Sequence, residues 1–388
     1  MIIQIDGVGK TNKGAHLMLI ATLNEIKKQY PDAKVYVNSS SKELYALRDN
    51  VALEYSFFYP FFFQRVLDKL FIHKIISEIK FIKLSKFYVR KNVDLIIDIG
   101  GFQFGDQWNF NDMKNILWEK YLTKQRENGT KSIFLPQAFG PFTRERSQRI
   151  VKLLNQYAGL VFARDIKSRD NLINSGMNND KILVYPDFTA SVKGVIPEKC
   201  KKYGGRVCFI PNCKMISNNI SDDHEYIAYF CTLINFVKER GYDVFLLNHE
   251  GNGDLVLCNK IKDKLTYDIP VVSGYNAIET KGIISISYLV ISSRFHGCAN
   301  ALSSSVPCLA TSWNHKYQTL QEEYGQKNCI LDVHDINGSI SQIETLLNRV
   351  KNNDVRKQLD IRIADIHKLN SEMWQSAWKW YDSQVANV

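Results

Sequence analysis

Tyr288-Leu289-Val290-Ile291-Ser292-Ser293-Arg294-Phe295-His296-Gly297 is the stretch whose reading decides the fold, and the residues on to Lys316 complete its pattern. The first four form a short apolar run of the kind buried in a parallel sheet, and the polar residues leave its C-terminal end. Open α/β sheets bind ligands at that end. If the chain stays extended there, the two-residue period predicts Arg294 and His296 on one face and Phe295 on the other, toward the core. Gly297 permits close backbone approach, and Cys298 to Ser304 is a predicted helix whose free N–H groups face the same spot. This is the geometry of an anion site with a proton donor beside it. An ordinary surface pair of arginine and histidine fits the same spacing, so the rest of the chain has to choose.

Working outward, strands predicted at Val207–Ile210, Val244–Leu247, Val271–Val272, Leu289–Ile291 and Cys308–Ala310 alternate with helices near 223–240, 254–265 and 276–287. The N-terminal half repeats the alternation, with strands at Ile2–Ile5, Val35–Val37, Asp94–Ile99, Lys131–Leu135, Leu160–Ala163 and Ile182–Tyr185. Such alternation predicts an α/β fold of parallel sheets covered by helices on both faces. The polar, glycine-rich residues 194–205 are the expected linker. The expected organisation is a Rossmann-like domain over residues 1–193, a second over 206–355 carrying the Ser-Arg-Phe-His motif, and a helical segment over 356–388 that crosses back to the first. Two such halves facing across a cleft make a GT-B-like arrangement, common in glycosyltransferases.

A length of 388 residues exceeds what one core organises, which agrees with two domains. The net charge of +10 points to an anionic partner. Much of it is local. Between Phe57 and Lys91, Arg65, Lys69, Lys74, Lys80, Lys83, Lys86, Arg90 and Lys91 face only Asp68 and Glu78, with apolar residues at helical spacing. Residues 57–91 therefore read either as an amphipathic helix for an anionic membrane surface or as a packed helix with a solvated basic face. No stacking platform or binding motif accompanies the charge, so nucleic acid is not an expected partner. No apolar run reaches the ~20 residues of a membrane span, and no signal peptide is seen, so the expected location is cytoplasmic, peripheral on the inner face of the cytoplasmic membrane if 57–91 tethers it. The eight cysteines form no CxxC pair and read as buried free thiols; no carboxylate or histidine cluster has ligand spacing, so no metal is expected.

Gly7-Val8-Gly9-Lys10-Thr11 imitates a phosphate-binding loop, but that motif needs glycine where Gln4 stands. Asn12 and Gly14 are the better candidates at this turn, for an anion or a sugar hydroxyl; a capped helix start explains Asn12 equally well.

The ordered loops Gly100-Gly101, Pro136-Gln137 with Gly140-Pro141, Ala163-Arg164-Asp165 followed by Ser168, Pro186-Asp187, and Ser293-Arg294-Phe295-His296-Gly297 with Lys316 resemble those of the polysaccharide pyruvyl transferase family. The resemblance runs from Asn12 to about Gly325; residues 57–91 lie outside the pattern, and Phe295 stands where many members have leucine. It implies transfer of the pyruvyl group of phosphoenolpyruvate to a glycan or a lipid-linked oligosaccharide acceptor, closing a ketal on two hydroxyls with release of phosphate. Phosphoenolpyruvate is then a donor substrate, and no cofactor is implied. By the family motif His296 is the general acid and Arg294 the anion clamp, with Arg164 and Lys316 as helpers. Gly101, Gln137, Asp187 and His249 sit on loops expected to line the cleft with Asn12 and Gly14. Asp187 reads as a base or as a turn cap, His249 and Asp254 as acceptor contacts or as parts of a glycine-rich loop, and Arg164 with Asp165 as an internal ion pair or as direct contacts. Two other functions compete. A sugar-nucleotide glycosyltransferase of the same fold requires an acidic grip on ribose, for which Glu279 is the candidate; a non-catalytic membrane scaffold requires only residues 57–91.

Overall fold

The structure, a computed structural model, describes residues 1–8, 12–37, 93–108, 112–218, 220–311 and 316–386. The basic stretch 57–91 lies outside the described residues. The chain divides into two units, one of residues 1–10, 18–188 and 369–388, the other of residues 11–17 and 189–368.

The first unit holds a parallel sheet of six strands, β1 (Ile2–Asp6), β2 (Lys34–Val37), β3 (Leu95–Asp98), β4 (Lys131–Gln137), β5 (Leu160–Ala163) and β6 (Ile182–Val184), in the order β2-β1-β3-β4-β5-β6. Strand order reverses between β1 and β3, so a crevice forms beyond their C-terminal ends. β4 runs two residues further than its apolar run suggests, through Pro136 to Gln137. Proline has no N–H for the ladder, and the pairing with β5 accordingly shifts register between Phe134 and Gln137.

The second unit repeats the plan with β7 (Val207–Ile210), β8 (Val244–Leu247), β9 (Val271–Val272), β10 (Leu289–Ser292), β11 (Cys308–Thr311) and β12 (Ile330–Leu331), ordered β12-β11-β10-β7-β8-β9 and all parallel. Here the reversal lies between β7 and β10. Alternate strand residues feed opposite faces: Cys208, Ile210, Phe245, Leu247 and Val290 enter one apolar cluster, and Val207, Phe209, Val244, Leu246, Leu289 and Ile291 the other. Burial on both faces is why these strands read as unbroken apolar runs. All eight cysteines are free, five of them buried.

The division between units falls at Phe188–Thr189 instead of within 194–205. Residues Glu198–Tyr203 form a 3-10 turn around the buried Cys200, and a Cβ on Gly194 would stand 2.4 Å from the Gly282 amide nitrogen, so this glycine-rich segment is packed onto the second unit. The last helix begins at Arg349, earlier than the expected 356, and runs to Ala386. Its Leu359 and Ile366 join a core cluster of the second unit, whereas residues from 369 on belong to the first. There Trp374 stacks on Trp378 at 5.3 Å, and Tyr30 meets Trp378 edge-on at 5.4 Å. Among the described residues no helix is long and apolar enough to cross a membrane.

Candidate active site

The second unit's site grows from the end of β10. The Ser292 hydroxyl turns back on the chain, accepting from the Arg294 N–H (3.1 Å) and donating to the Arg294 carbonyl (3.0 Å). Ser293 is held from several sides: its carbonyl accepts from Asn212 Nδ2 and Tyr317 OH, each at 2.8 Å, and its hydroxyl meets Tyr226 OH and Thr311 Oγ1. The backbone presenting Arg294 is thus fixed by groups from the ends of β7 and β11 and from two helices.

The helix that follows is Phe295–Leu302, starting three residues before the expected Cys298. Gly297 permits this, because a Cβ there would stand 2.4 Å from Ser292 Oγ. Arg294 is therefore the last extended residue and His296 lies in the first helical turn, so the two do not share an extended face. Phe295 is buried in the core as expected, edge-on to His296 and Tyr317 at 5.2 and 5.9 Å. Lys316 Nζ stands over the Phe295 ring at 5.3 Å.

Arg294 is the most heavily bonded side chain of the site. Nε and Nη2 donate to the two oxygens of Asp254, and Nη1 to Glu250 Oε2, all at 2.7 Å. Burial pulls the guanidinium pKa down, but the Asp254 and Glu250 carboxylates hold it above its ordinary value. The fork expected to stand open for an anion is filled by two acids. Helix Gly251–Lys264 explains this: it starts three residues earlier than its apolar pattern suggests, with Glu250 as N-cap, so both carboxylates fall on one face at i,i+4. That spacing is visible in the sequence, where the run of glycines masks it.

His249, just past β8, is 2 % exposed, and neither ring nitrogen has a hydrogen-bond partner among the described residues. Burial first, then Lys13, Arg294 and His296, push its pKa well below the ordinary value, so the ring is neutral. Lys13 reaches this loop, donating to the Asn248 carbonyl at 3.1 Å. Beside it a Cβ on Gly14 would stand 2.0 Å from His296 Nδ1. Gly14 is therefore glycine because the His296 ring occupies the space of a side chain. Asn12 Oδ1 accepts from the Ala15 N–H at 3.1 Å, capping helix Lys13–Gln29. The second unit thus gathers Gly14, His249, Arg294 and His296, and adds Lys13, Glu250 and Asp254 to them.

The remaining expected residues belong to the first unit. Arg164 and Asp187, both buried, face each other with Nη1 3.5 Å from Oδ2. Asp165 does not pair with Arg164; its carboxylate caps helix Ile166–Asn174, accepting from the Ser168 N–H at 2.6 Å. Gln137 is buried with Nε2 3.3 Å from Asp98 Oδ1. A Cβ on Gly101 would meet the end of the Met18 side chain, with Sδ at 3.4 Å, an ordinary contact, so packing does not demand glycine there. Nothing in the sequence singles out Asp98 and its neighbour Asp6, because each looks like an ordinary strand end. Glu279 is committed elsewhere, forming a capping box with Asn276.

Residues 12–315 match the model of the polysaccharide pyruvyl transferase family. No curated protein matches the sequence. Among solved structures the chain is similar to UDP-GlcNAc 2-epimerase from Neisseria meningitidis bound to UDP-GlcNAc (11 % identity, 97 % of this chain and 99 % of that one, TM-score 0.63). It is also similar to Anabaena HepE in complex with UDP (13 %, 97 % and 99 %, 0.61) and to UDP-GlcNAc 2-epimerase from Methanocaldococcus jannaschii (11 %, 90 % and 94 %, 0.60). At these identities the likeness is one of fold, that of two Rossmann-like domains of the GT-B kind.

Proposed function

The chain belongs to the polysaccharide pyruvyl transferase family, and on that premise we propose that it moves the pyruvyl group of phosphoenolpyruvate onto a sugar of a surface polysaccharide or its lipid-linked precursor. The product is a pyruvate ketal, and phosphate is released. His296 gives a proton to the methylene carbon, and a sugar hydroxyl bonds to the oxocarbenium-like carbon while its proton returns to the imidazole. The carbon–oxygen bond to phosphate then breaks, phosphate leaving with the electron pair, and a second hydroxyl closes the ring as its proton passes to the departing phosphate.

The observation that carries this reading is the bare His249 ring beside Lys13, Arg294 and His296. A buried polar atom without a partner costs about 1–3 kcal/mol, and a neutral imidazole with an N–H to give suits a phosphate or carboxylate oxygen. Arg294 serves the same anion through one arm. Asp254, fully buried, keeps two of its bonds, whereas the single bond to the more exposed Glu250 is the one an incoming oxyanion replaces.

A sugar-nucleotide reading is favoured by the neighbours solved with UDP or UDP-GlcNAc. Against it, the Glu279 carboxylate expected to grip ribose is occupied by its own helix cap.

Phosphate release from phosphoenolpyruvate, measured with galactose-, glucose- and mannose-bearing acceptors, separates the two. Release should depend on the acceptor, yield a product with the mass of a pyruvyl ketal, and fall by about 100-fold or more in His296→Ala. Turnover of a nucleotide sugar with none of phosphoenolpyruvate would overturn the proposal.

A further inference from the structure

The first unit carries a polar cluster at its own strand-order reversal. Asp6 ends β1 and Asp98 ends β3, and the register pairs them directly. Both are buried. Gly7, at φ +81°, follows β1 so closely that a Cβ would stand 2.5 Å from the Gly100 amide nitrogen, and this glycine contact closes the turn beside the pair.

The hydrogen bonding is lopsided. Asp98 Oδ1 accepts from the Gly100 N–H (2.9 Å), Gln103 Nε2 (2.6 Å) and Gln137 Nε2 (3.3 Å). Asp6 accepts from Gln4 Nε2 (2.9 Å) and Tyr121 OH (2.6 Å). Asp98 Oδ2 accepts from no described residue. Gln137 Oε1 and Gln4 Oε1, on side chains that are 0 % and 2 % exposed, also have no partner among the described residues. Among the described residues the cluster has three acceptors to spare and lacks donors for them. A ligand that brings hydroxyl protons completes it. A divalent cation fits less well, because it seeks six or more oxygens, several of them carboxylate, and both Asp6 oxygens and one Asp98 oxygen are already engaged.

We propose that the first unit holds a carbohydrate-binding site in which Asp98 Oδ2, with the amide oxygens of Gln137 and Gln4, accepts hydroxyl hydrogen bonds. That this carbohydrate is the acceptor glycan rests on the function proposed above; that the site takes sugar hydroxyls does not.

Burial, then the neighbouring Asp6 charge, raises the Asp98 carboxyl from 3.8 to about 6, although the Gly100 N–H and the Gln103 and Gln137 amides oppose the shift. Among the described residues, the titratable groups that act on it from β1, the Gly100–Gln103 loop, β4 and helix Asp112–Glu127 are Asp6 and Tyr121. Because the folded value lies above the ordinary one, this carboxyl favours the fold below pH 3.8, and that contribution is lost as pH rises through 6. Asp98→Asn has no charge to bury, so it should melt higher than wild type at pH 8 and alike at pH 4.

The test uses the full chain with methyl galactoside, glucoside and mannoside at tens of millimolar, followed by saturation-transfer NMR, alongside phosphoenolpyruvate and Mg²⁺ titrations. At least one glycoside should bind wild type, and Asp98→Asn, which puts an N–H₂ where Oδ2 stood, should weaken it about tenfold or more while leaving phosphoenolpyruvate binding unchanged. Gln137→Leu should weaken the same glycoside. Failure of every glycoside to bind, equal binding by Asp98→Asn, or Mg²⁺ binding that requires Asp98 would overturn the inference. Asp98-dependent glycoside binding without turnover of phosphoenolpyruvate would leave it standing and remove the pyruvyl transfer. Turnover of phosphoenolpyruvate by Asp98→Asn with a wild-type acceptor KM would leave the pyruvyl transfer standing and remove the acceptor glycan from this site.

Discussion

At the scale of single residues, Glu250 is the test of how Arg294 can grip an anion while it is already paired. Its bond to Nη1 is short, at 2.7 Å, but it is the more exposed of the two acids that Arg294 holds, and an anion taking its place restores the charge pairing it gives up. A phosphate oxygen therefore displaces it at small cost, and Glu250 acts as a competitor for the substrate's place. Glu250→Ala should lower the phosphoenolpyruvate KM, or its Kd by calorimetry, by roughly threefold to tenfold. A KM that stays put or rises would mean that Nη1 never leaves Glu250. Gly14 carries a lesson of the same kind. The sequence marks it as a glycine at a βα turn, suited to a ligand's close approach; the space it leaves is filled by the imidazole of His296, 282 positions away, which no local pattern reveals.

At the scale of elements, the Asp254 carboxylate joins helix Gly251–Lys264 to the turn after β10 through two bonds to Arg294 and one from the Cys213 N–H. Removing it leaves the buried guanidinium only the single bond to Glu250, at a cost toward the lower end of the about 3–5 kcal/mol of a broken buried pair. Asp254→Leu should lower the urea midpoint of the second unit accordingly, and Arg294→Met added to it should recover most of the loss. No recovery in the double variant would mean that Asp254 matters for the Cys213 bond alone. Strands and helices were legible because both sheets are buried on two faces and the helices between them are regular. Their ends were not. Helix Phe295–Leu302 starts early because Gly297 fits against Ser292, and β4 runs on because a register shift absorbs Pro136. Those ends carry the chemistry, so the candidate residues could be named from sequence while their partners could not. Asp6 and Asp98 are adjacent only through strand order, with 91 residues between them in the chain.

At the scale of the whole molecule, the chain builds one plan twice, and in each unit the polar cluster lies at the strand-order reversal, where an open parallel sheet leaves a crevice. The last helix breaks that symmetry, since one continuous element supplies core to both units. Residues 369–386 bury Met373, Trp374, Ala377, Trp378 and Tyr381 in the first. At about 1.5–3 kcal/mol for each large side chain, the sum is of the order of 10 kcal/mol, comparable to the whole stability of a typical domain. A chain ending at Lys368 should therefore lose the first unit selectively. Hydrogen exchange would show it: amides of β1, β3 and β4 should exchange as in an unfolded chain, while those of β7, β8 and β10 stay protected. Loss of protection in both sheets would make the units one cooperative body, because the second retains Leu359 and Ile366 and every strand of its own sheet. Retained protection in β1 and β3 would mean that the aromatic cluster around Tyr30 and Trp378 is dispensable to the fold it covers.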